Sequence, residues 1–402
     1  MKFLSFATVF AAASGFVLLI VASWALGERL TAEFAAYWGL FFALTGLLDG
    51  LMQETTRAVG AGRSNPTGTA RPLRLGTVLA LVTAALVVAT GPVWIVLLLS
   101  SYHPVAVGLM ALGLVSYTYQ AVLSGALSAM QLWKHYAWLV ALDSGVRLAL
   151  VILAWWFGWG LLVFIVVTVI GAASWVVVLA VSKSAREALR QPTDVNPRLF
   201  ARRVAATMTA TGASAALITG FPTLVKGTSE TSAGAAVTLG GIIMAITLTR
   251  APILVPLQRF QSALIVRFMR QPKALAQPLA AVFGVGLVGA AAAWLIGPWL
   301  MRLFFREDMF VPGNILAVLT MASACTGALI ITGTAMLANE RHRIYLLGWV
   351  LATAVAFAAL LLPLDLVWRV CLALTVGPLS GVSLHLAAAL SRRHHQPSVG
   401  AL

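Results

Sequence analysis

The sequence predicts an all-α polytopic membrane protein with twelve transmembrane helices in two six-helix bundles. Apolar residues make up 60% of the chain and charged residues 10%, whereas soluble domains average about 45–50% and about 25%. Apolar runs of about 20 residues recur along the chain, and each could cross a hydrocarbon core about 30 Å thick. A basic, proline-containing segment near the middle separates six runs from six.

The twelve predicted spans are joined by short loops, none of them long enough for a separate soluble domain. The first run continues to Leu26. It is therefore too long for the apolar region of a signal peptide and predicts a retained span. The predicted spans are 3–26, 34–53, 73–99, 104–128, 136–157, 160–182, 204–225, 233–254, 278–300, 312–337, 344–362 and 366–390.

Charge sets the predicted orientation. On the side of the N-terminus we count 21 Lys and Arg residues against 5 on the other side, with Arg147 inside a span. The positive-inside rule then places both termini in the cytoplasm, and the net charge of +15 belongs to cytoplasmic loops and lipid contacts rather than to nucleic-acid binding. The predicted order is an N-terminal bundle at 1–182, a basic cytoplasmic linker at 183–203, a C-terminal bundle at 204–390 and a cytoplasmic tail at 391–402.

The most informative stretch is Leu47–Arg63, which closes the second span with several polar and charged residues, Glu54 among them. At 100° per residue, one helix face collects its polar side chains. Such a face is costly against lipid, so we expect it to turn towards protein or water. The face consists of Thr45, Asp49, Gln53 and Thr56, and Arg57 flanks it.

A similar basic helix end recurs about half a chain later, around Arg250. In all, three short stretches of the first half resemble stretches at matching places in the second half. This similarity predicts two related halves with a substrate site at their interface. The matching pairs are Ser14-Gly15 with Thr211-Gly212, Thr55-Thr56-Arg57-Ala58 with Leu248-Thr249-Arg250-Ala251, and Ser124-Gly125 with Thr332-Gly333.

Small and hydroxyl residues line one face of several spans, including Thr207 and Thr211 in span 7 and Thr249 in span 8. Two interpretations stay open, because small residues also let helices approach closely. These residues line a central polar cavity, or they mediate helix packing. Residues 257–270 alternate an apolar and a basic face and predict an amphipathic helix at the cytoplasmic leaflet.

Asp143 and Arg147 lie four residues apart in span 5, in the order that favours an ion pair one turn apart. The pair is either structural or part of a cavity that binds a charged group or a coupling proton. Asp49 and Glu54 are the other acids near a span interior, so the candidates for cation coupling are Asp49, Asp143 and Glu54. By contrast, the charges of the first outside turn, Glu28, Arg29 and Glu33, are expected to be solvated.

Catalytic and metal-binding signatures are not visible in the sequence. It contains no Walker A motif, and its six histidines and two cysteines form no metal-ligand spacing. We therefore expect neither an enzyme nor a bound cofactor or metal.

The first hairpin carries a family resemblance. Ala25-Leu26-Gly27, followed by Phe34, Tyr37 and Trp38, resembles the polysaccharide-type flippases of the multidrug/oligosaccharidyl-lipid/polysaccharide (MOP) exporter superfamily. The twelve-span layout with its basic joint is similar as well, although Ala35-Ala36 stands where that family usually has a glycine between the Phe and the Tyr.

The resemblance implies a V-shaped pair of six-helix bundles, MOP/MATE-like, that opens alternately to each side of a bacterial inner membrane. The substrate would be a polyprenyl-(di)phosphate-linked sugar or oligosaccharide, moved to the outer leaflet for cell-envelope polysaccharide synthesis. Its anionic head group would be held by Arg57, Arg250 and Arg147, and a proton or sodium ion would drive the cycle. The cavity would be lined by Thr56, Gln53, Thr207, Thr211 and Thr249.

Three other functions remain possible on this sequence. A cation-coupled drug or metabolite exporter of the same fold would prefer acids in its cavity, of which the spans have few. A major-facilitator carrier would carry a basic loop motif, and Gly60-Ala61-Gly62-Arg63 matches it poorly. A non-transporting scaffold for envelope biosynthesis would need no paired cavity charges.

Overall fold

The computed structural model describes residues 2–64, 66–229, 237–271, 275–339 and 341–391, and most of them are helical. Contacts divide the chain into two compact units, Met1–Thr231 and Ser232–Leu402. The prediction of an all-α, multi-pass membrane protein is confirmed.

Unit 1 contains nine helices among the described residues, and a 3₁₀ turn at Gly171–Ala173 joins the fifth to the sixth. The longest packs along α3, α4 and α8. The helices are α1 (Lys2–Gly62), α2 (Pro72–Leu98), α3 (His103–Ala129), α4 (Trp133–Trp156), α5 (Leu161–Ile170), α6 (Ser174–Val181), α7 (Lys183–Ala188), α8 (Pro197–Ile218) and α9 (Phe221–Gly227).

Unit 2 contains six helices in its described part. Helix α13 is its most buried span and packs against α10, α11 and α15. The helices are α10 (Leu239–Arg270), α11 (Ala276–Leu295), α12 (Gly297–Phe304), α13 (Gly313–Ala338), α14 (His342–Leu360) and α15 (Leu366–Ser391).

The predicted number of twelve spans is not reproduced as such. Among the described residues, nine helices are long and apolar enough to cross a membrane, or ten if the bent pair α8–α9 is one span. Helix α1 is counted once although it is broken at Gly27, and the apolar part of α10, Leu239–Leu254, is short. Each predicted span nevertheless overlaps a helix of the structure.

The break in α1 is a single residue. Gly27 has φ 72° and ψ 176°, a conformation that residues with a side chain rarely adopt. Two helices meet at this residue, and the Thr31 hydroxyl lies 3.5 Å from the carbonyl of Ala22, so the chain turns back here as predicted. Glu33, however, is buried rather than solvated. Its carboxylate accepts hydrogen bonds from the backbone N–H of Ser100 at 3.0 Å and from the Ser100 hydroxyl at 3.1 Å.

One predicted loop contains more helix than expected, and the helix predicted at 257–270 is present but continuous with the one before it. Helix α1 continues to Gly62 instead of ending near residue 53, and α10 runs without interruption to Arg270. The predicted amphipathic element at 257–270 is therefore the end of the long helix α10, and Phe268 within it is fully buried. The side chains of Arg259, Phe260 and Arg270, which belong to this element, lie outside the described part of the chain. The predicted tail at 391–402 also lies outside it, except for its first residue.

The segment predicted as a linker, 183–203, packs into unit 1. Gly68 and Thr193 form an isolated antiparallel bridge, and the N–H of Ala70 donates to the carbonyl of Val195. Phe200, at the start of α8, lies in a core cluster with Leu51 and Val122. Since the contact boundary falls between Thr231 and Ser232, the first unit extends beyond 182, and the six-plus-six division remains a proposal.

Candidate functional site

Arg57 is the centre of an ion network at the end of α1. Its Nη2 atom lies 2.7 Å from Glu54 Oε1, and its Nη1 atom lies 2.8 Å from Asp194 Oδ2. The Glu54 side chain is buried, whereas 38% of the Arg57 side chain is exposed. The hydrogen bonds from Arg57 hold the pKa of the Asp194 carboxyl below its usual range, because they stabilise its ionised form.

The backbone bridge places Asp194 within reach of Arg57. The N–H of Gly68 donates to the carbonyl of Thr193 at 2.8 Å, and the N–H of Ala70 donates to Val195 at 3.0 Å. A side chain at Gly68 would overlap the backbone at Thr193 and Val195. The glycine therefore permits the approach that fixes Asp194, a residue 137 positions from Arg57 that sequence reasoning missed.

Asp49 is half-buried and its carboxylate faces α3. The hydroxyl of Tyr117 donates to Asp49 Oδ1 at 2.7 Å, and no ion pair involves Asp49 within the described part of the chain. Tyr117 also interacts electrostatically with Asp143. The two acids therefore belong to one polar cluster of α1, α3 and α4, while Gln53, one turn after Asp49, is exposed.

Asp143 and Arg147 form the predicted ion pair within α4. Arg147 Nη2 lies 3.0 Å from Asp143 Oδ1, and only 6% of the Arg147 side chain is exposed. The guanidinium carbon lies 5.1 Å from the ring centroid of Phe42 and 5.9 Å from that of Trp38. Arg147 is therefore enclosed by an acid and aromatic rings, an arrangement that is strongest when water is excluded.

The break in the helix formed by α5 and α6 lies against this pair. A side chain at Gly171 would overlap Arg147 and would place its Cβ 2.7 Å from Asp143 Oδ1. In the same 3₁₀ turn, the carbonyl of Ala172 accepts a hydrogen bond from Ser116 at 2.9 Å. The turn thus places backbone that is not α-helical close to a buried ion pair. Membrane proteins tolerate such backbone only where it is buried in protein or lines a water-filled cavity.

Most of the predicted cavity-lining threonines are engaged in helix contacts. Thr207 donates to the carbonyl of Gly50 at 3.0 Å, and Thr211 donates to that of Leu47 at 3.1 Å, so both tie α8 to α1. Thr56 lies 3.2 Å from the carbonyl of Gly125 in α3. These contacts favour the helix-packing interpretation of the small and hydroxyl faces.

In unit 2, the predicted residues are Arg250 and Thr249 on α10. Both are buried, with 7% and 6% of their surfaces exposed. The Thr249 hydroxyl donates to the carbonyl of Ala245 in its own helix at 2.8 Å. Arg250 is two residues before Pro252, the first of two prolines inside α10, where a helix can bend.

The structure thus groups the predicted residues into three sets. Glu54 joins Arg57, Asp143 joins Arg147, and Asp49 joins Tyr117, all within unit 1. Arg250 lies in unit 2. The one sequence signal for the missed Asp194 is that it is an acid inside a strongly basic segment; Tyr117 carries no comparable signal.

This chain is similar in sequence to mycobacterial proteins and similar in structure to solved membrane transporters. No protein-family model matches it. It is 38% identical over 394 residues to Uncharacterized protein Rv1510 of Mycobacterium tuberculosis, covering 96% of this chain and 90% of that protein. It is 36% identical over 390 residues to Uncharacterized protein Mb3654 of Mycobacterium bovis, covering 95% and 90%.

Solved structures show the fold. The chain matches an inward-facing multidrug resistance MATE family transporter of the MOP superfamily with a TM-score of 0.74 at 14% identity, covering 96% of both chains. It matches the lipid II flippase MurJ in an inward closed conformation with a TM-score of 0.69 at 13% identity, covering 97% of this chain and 88% of that one. The chain therefore belongs to the family of these mycobacterial proteins, and it has the fold of the MOP-superfamily transporters.

Proposed function

We propose that the protein is a flippase that moves a polyprenyl-(di)phosphate-linked sugar or oligosaccharide from the cytoplasmic to the outer leaflet by alternating access. The observation that carries the proposal is the presence of Arg57 on α1 and Arg250 on α10, both helices with apolar stretches. Ionisable residues inside membrane helices are costly and are commonly functional. The fold shared with a lipid II flippase supports the same substrate class.

Physical chemistry favours arginine for such a substrate. A diphosphate cannot cross hydrocarbon unaided, and its desolvation must be offset by strong polar contacts. A guanidinium offers two parallel, charge-assisted hydrogen bonds to a phosphate and keeps its charge when buried. The polyprenyl chain would stay in the bilayer while the head group moves.

We assign the three arginines two different roles, which their contacts support. Arg57 and Arg250 are assigned to the head group, each within its own unit. Arg57 is the most accessible of the three. Its guanidinium N–H groups donate to Glu54 and Asp194, and the same N–H groups would donate to a phosphate. Binding would then require the guanidinium to release Asp194, whose side chain is partly exposed.

Arg147 is assigned a positioning role instead. Its guanidinium is buried, paired with Asp143 and stacked against Phe42. A substrate phosphate would have to displace all of these contacts. Holding α4 against α1 and the 3₁₀ turn is therefore the better-supported role.

Asp49 is the best candidate for cation coupling in this proposal. Glu54 and Asp143 are already paired with arginines, whereas the described hydrogen bond of Asp49 comes from the neutral Tyr117. A half-buried carboxylate without a basic partner takes up a proton or a sodium ion more readily than a paired one. The coupling ion would be a proton or sodium.

The experiment is depletion of the protein in its host, followed by measurement of the leaflet on which polyprenyl-linked sugars accumulate. We expect accumulation on the cytoplasmic leaflet. Wild type should rescue it, and the double variant Arg57→Ala/Arg250→Ala should not. The exposed arginines of the double variant Arg74→Ala/Arg343→Ala provide a matched control that should rescue. Unchanged sidedness would reject the proposal.

A cation-coupled exporter is the second candidate, and Asp49 is the observation that favours it. A carboxylate without a basic partner could bind a cationic substrate as well as a coupling ion. This function predicts that depletion sensitises cells to cationic compounds and leaves the sidedness of lipid-linked sugars unchanged. The variant Asp49→Asn should reproduce that sensitivity.

A further inference from the structure

A buried histidine lies at the centre of a three-helix contact in unit 2. His385 of α15 is fully buried. It packs against α13 through Thr332 and against α14 through Gly348, where any side chain would overlap the imidazole ring. Because Gly348 has no side chain, the imidazole ring of His385 fits against α14 at this position.

Both ring nitrogens have polar partners. His385 Nδ1 lies 3.0 Å from the hydroxyl of Thr332, and Nε2 lies 3.4 Å from the backbone carbonyl of Tyr345. The carbonyl of Ile344 also faces the ring. Carbonyls only accept, so Nε2 must carry a hydrogen, and Nδ1 can then either accept or donate.

Thr332 can satisfy either state of Nδ1. Its hydroxyl lies 3.0 Å from the carbonyl of Ala328 in its own helix as well as 3.0 Å from Nδ1. When the ring is neutral, the hydroxyl donates to Nδ1. When the ring is protonated, Nδ1–H donates to the hydroxyl oxygen, which then donates to Ala328. One hydroxyl rotation therefore accommodates both charge states with every polar atom bonded.

Helices α10 to α15 contain few other side chains that could take up a proton. The sequences of α10 to α15 contain no Asp or Glu. Their second histidine, His342, is exposed at the start of α14. His385 is therefore the one buried side chain of these six helices that ordinarily titrates between pH 5 and 8.

We propose that His385, with Thr332 and the carbonyls at the start of α14, forms a membrane-embedded proton-binding site in unit 2. The site binds one proton at Nδ1, and Thr332 accepts the resulting N–H. His385 is six residues before Ser391, the last residue of α15, or about 9 Å along the helix. The proposal goes beyond the flippase proposal and does not depend on the transported substrate.

The charged groups near this site have a predictable effect. From α13 the facing side chain is the neutral Thr332, and from α14 the facing residue is Tyr345. Arg341, at the start of α14, donates a hydrogen bond to the carbonyl of Ala388, one turn beyond His385. Its fixed positive charge opposes protonation of the imidazole, so removing it should strengthen proton binding.

The test is nitrogen NMR of the full chain in proteoliposomes, with ¹⁵N-labelled histidine, from about pH 4 to about pH 8. The His385 signals are assigned by their loss in His385→Gln. We expect them to change from a neutral ring protonated at Nε2 to an imidazolium. Thr332→Val should lower the midpoint by about one unit, a tenfold loss of proton affinity, because the charged form loses the stronger hydrogen bond. Thr332→Ser should keep the wild-type midpoint.

Arg341→Gln provides a second readout that leaves Thr332, the partner of Nδ1, unchanged, and it should raise the midpoint. A His385 ring that stays neutral over the whole range would overturn the proposal and leave a structural histidine. A midpoint that is the same in wild type, Thr332→Val and Arg341→Gln would overturn it too. Because the readout is protonation rather than transport, failure here is distinct from failure of the flippase proposal.

Discussion

The guanidinium of Arg57 holds the carboxylate of Asp194 at 2.8 Å across 137 residues of sequence. This contact joins the end of α1 to the segment before α8, beside the backbone bridge of Gly68 and Thr193. It also binds the arginine that the flippase proposal assigns to substrate. The contact therefore affects both the stability of unit 1 and the availability of Arg57.

Replacing Asp194 with Asn should destabilise unit 1 in a pH-dependent manner. Because Arg57 lowers the pKa of the folded-state carboxyl, the stabilisation is present above the unfolded pKa of about 3.9. It is lost as the pH falls through the lower, folded value. Thermal unfolding in detergent should show a decrease in Tm of about 2–4 °C at pH 7, and the difference should shrink below about pH 4.

Asp308→Asn is the matched control for Asp194→Asn. Its partner Arg306 lies 3.4 Å away, and both side chains are exposed, so the pair should contribute little. An equal decrease in Tm for both variants, or a decrease that persists unchanged at low pH, would contradict the role given to the Arg57–Asp194 contact.

The hydroxyl of Thr207 should matter for the packing of α8 on α1. Thr207→Val removes the hydrogen bond to Gly50 while keeping the shape of the side chain, and should cost about 1 kcal/mol. Thr209→Val is the control, because the exposed Thr209 bonds only within its own helix, to Ala205 at 2.7 Å. If urea unfolding gives the two variants the same stability, the cross-helix bond is not a stabilising contact.

Gly171 should tolerate no side chain. Gly171→Ala would overlap Arg147 and crowd Asp143, with a cost of about 1–3 kcal/mol for overpacking. Gly108→Ala, at an exposed position in α3 with open space around it, should be neutral or slightly stabilising. Melting of both variants in the same detergent measures the difference, and a Gly171→Ala variant as stable as wild type would contradict the geometry.

Asp143 and Arg147 should show strong energetic coupling. Asp143→Asn leaves a buried arginine without its acid and should cost about 3–5 kcal/mol. In the double variant Asp143→Asn/Arg147→Met neither charge remains, so it should be more stable than Asp143→Asn alone. A double-mutant cycle by thermal unfolding measures this, with an expected coupling of about 1–3 kcal/mol. Additive losses would mean that the pair is not an energetic unit.

Composition and periodicity predicted the helical membrane fold and a helix at every span. They predicted a turn between the first two spans, but not that the single residue Gly27 makes it, because Glu28, Arg29 and Glu33 resemble a longer solvated loop. Glu33 was therefore expected in solvent, whereas it belongs to the helix after Gly27 and lies buried against Ser100. The sequence around a residue does not show which distant helix or loop packs against it.

The contacts of the predicted site residues could be foreseen only where both partners lie on one helix. The spacing of Asp143 and Arg147 predicted their ion pair, because both lie on one helix. The partners of Arg57 and Asp49, by contrast, come from elsewhere in the chain, Asp194 after α7 and Tyr117 on α3. The threonines of α8 were predicted to line a cavity or to pack, and only the neighbouring backbone of α1 decides between these roles.

The most direct measurement of the central claim is translocation by the purified protein in vesicles. The probe is a fluorescent, short-chain polyprenyl-diphosphate-linked sugar, and a membrane-impermeant quencher reports the leaflet that it occupies. Wild type and Arg74→Ala should accelerate its movement between leaflets, and Arg250→Ala should slow it by about tenfold or more, the loss expected for charge-assisted hydrogen bonds to phosphate. A rate with wild type no faster than in protein-free vesicles, or an Arg250→Ala rate equal to wild type, would contradict the flippase account.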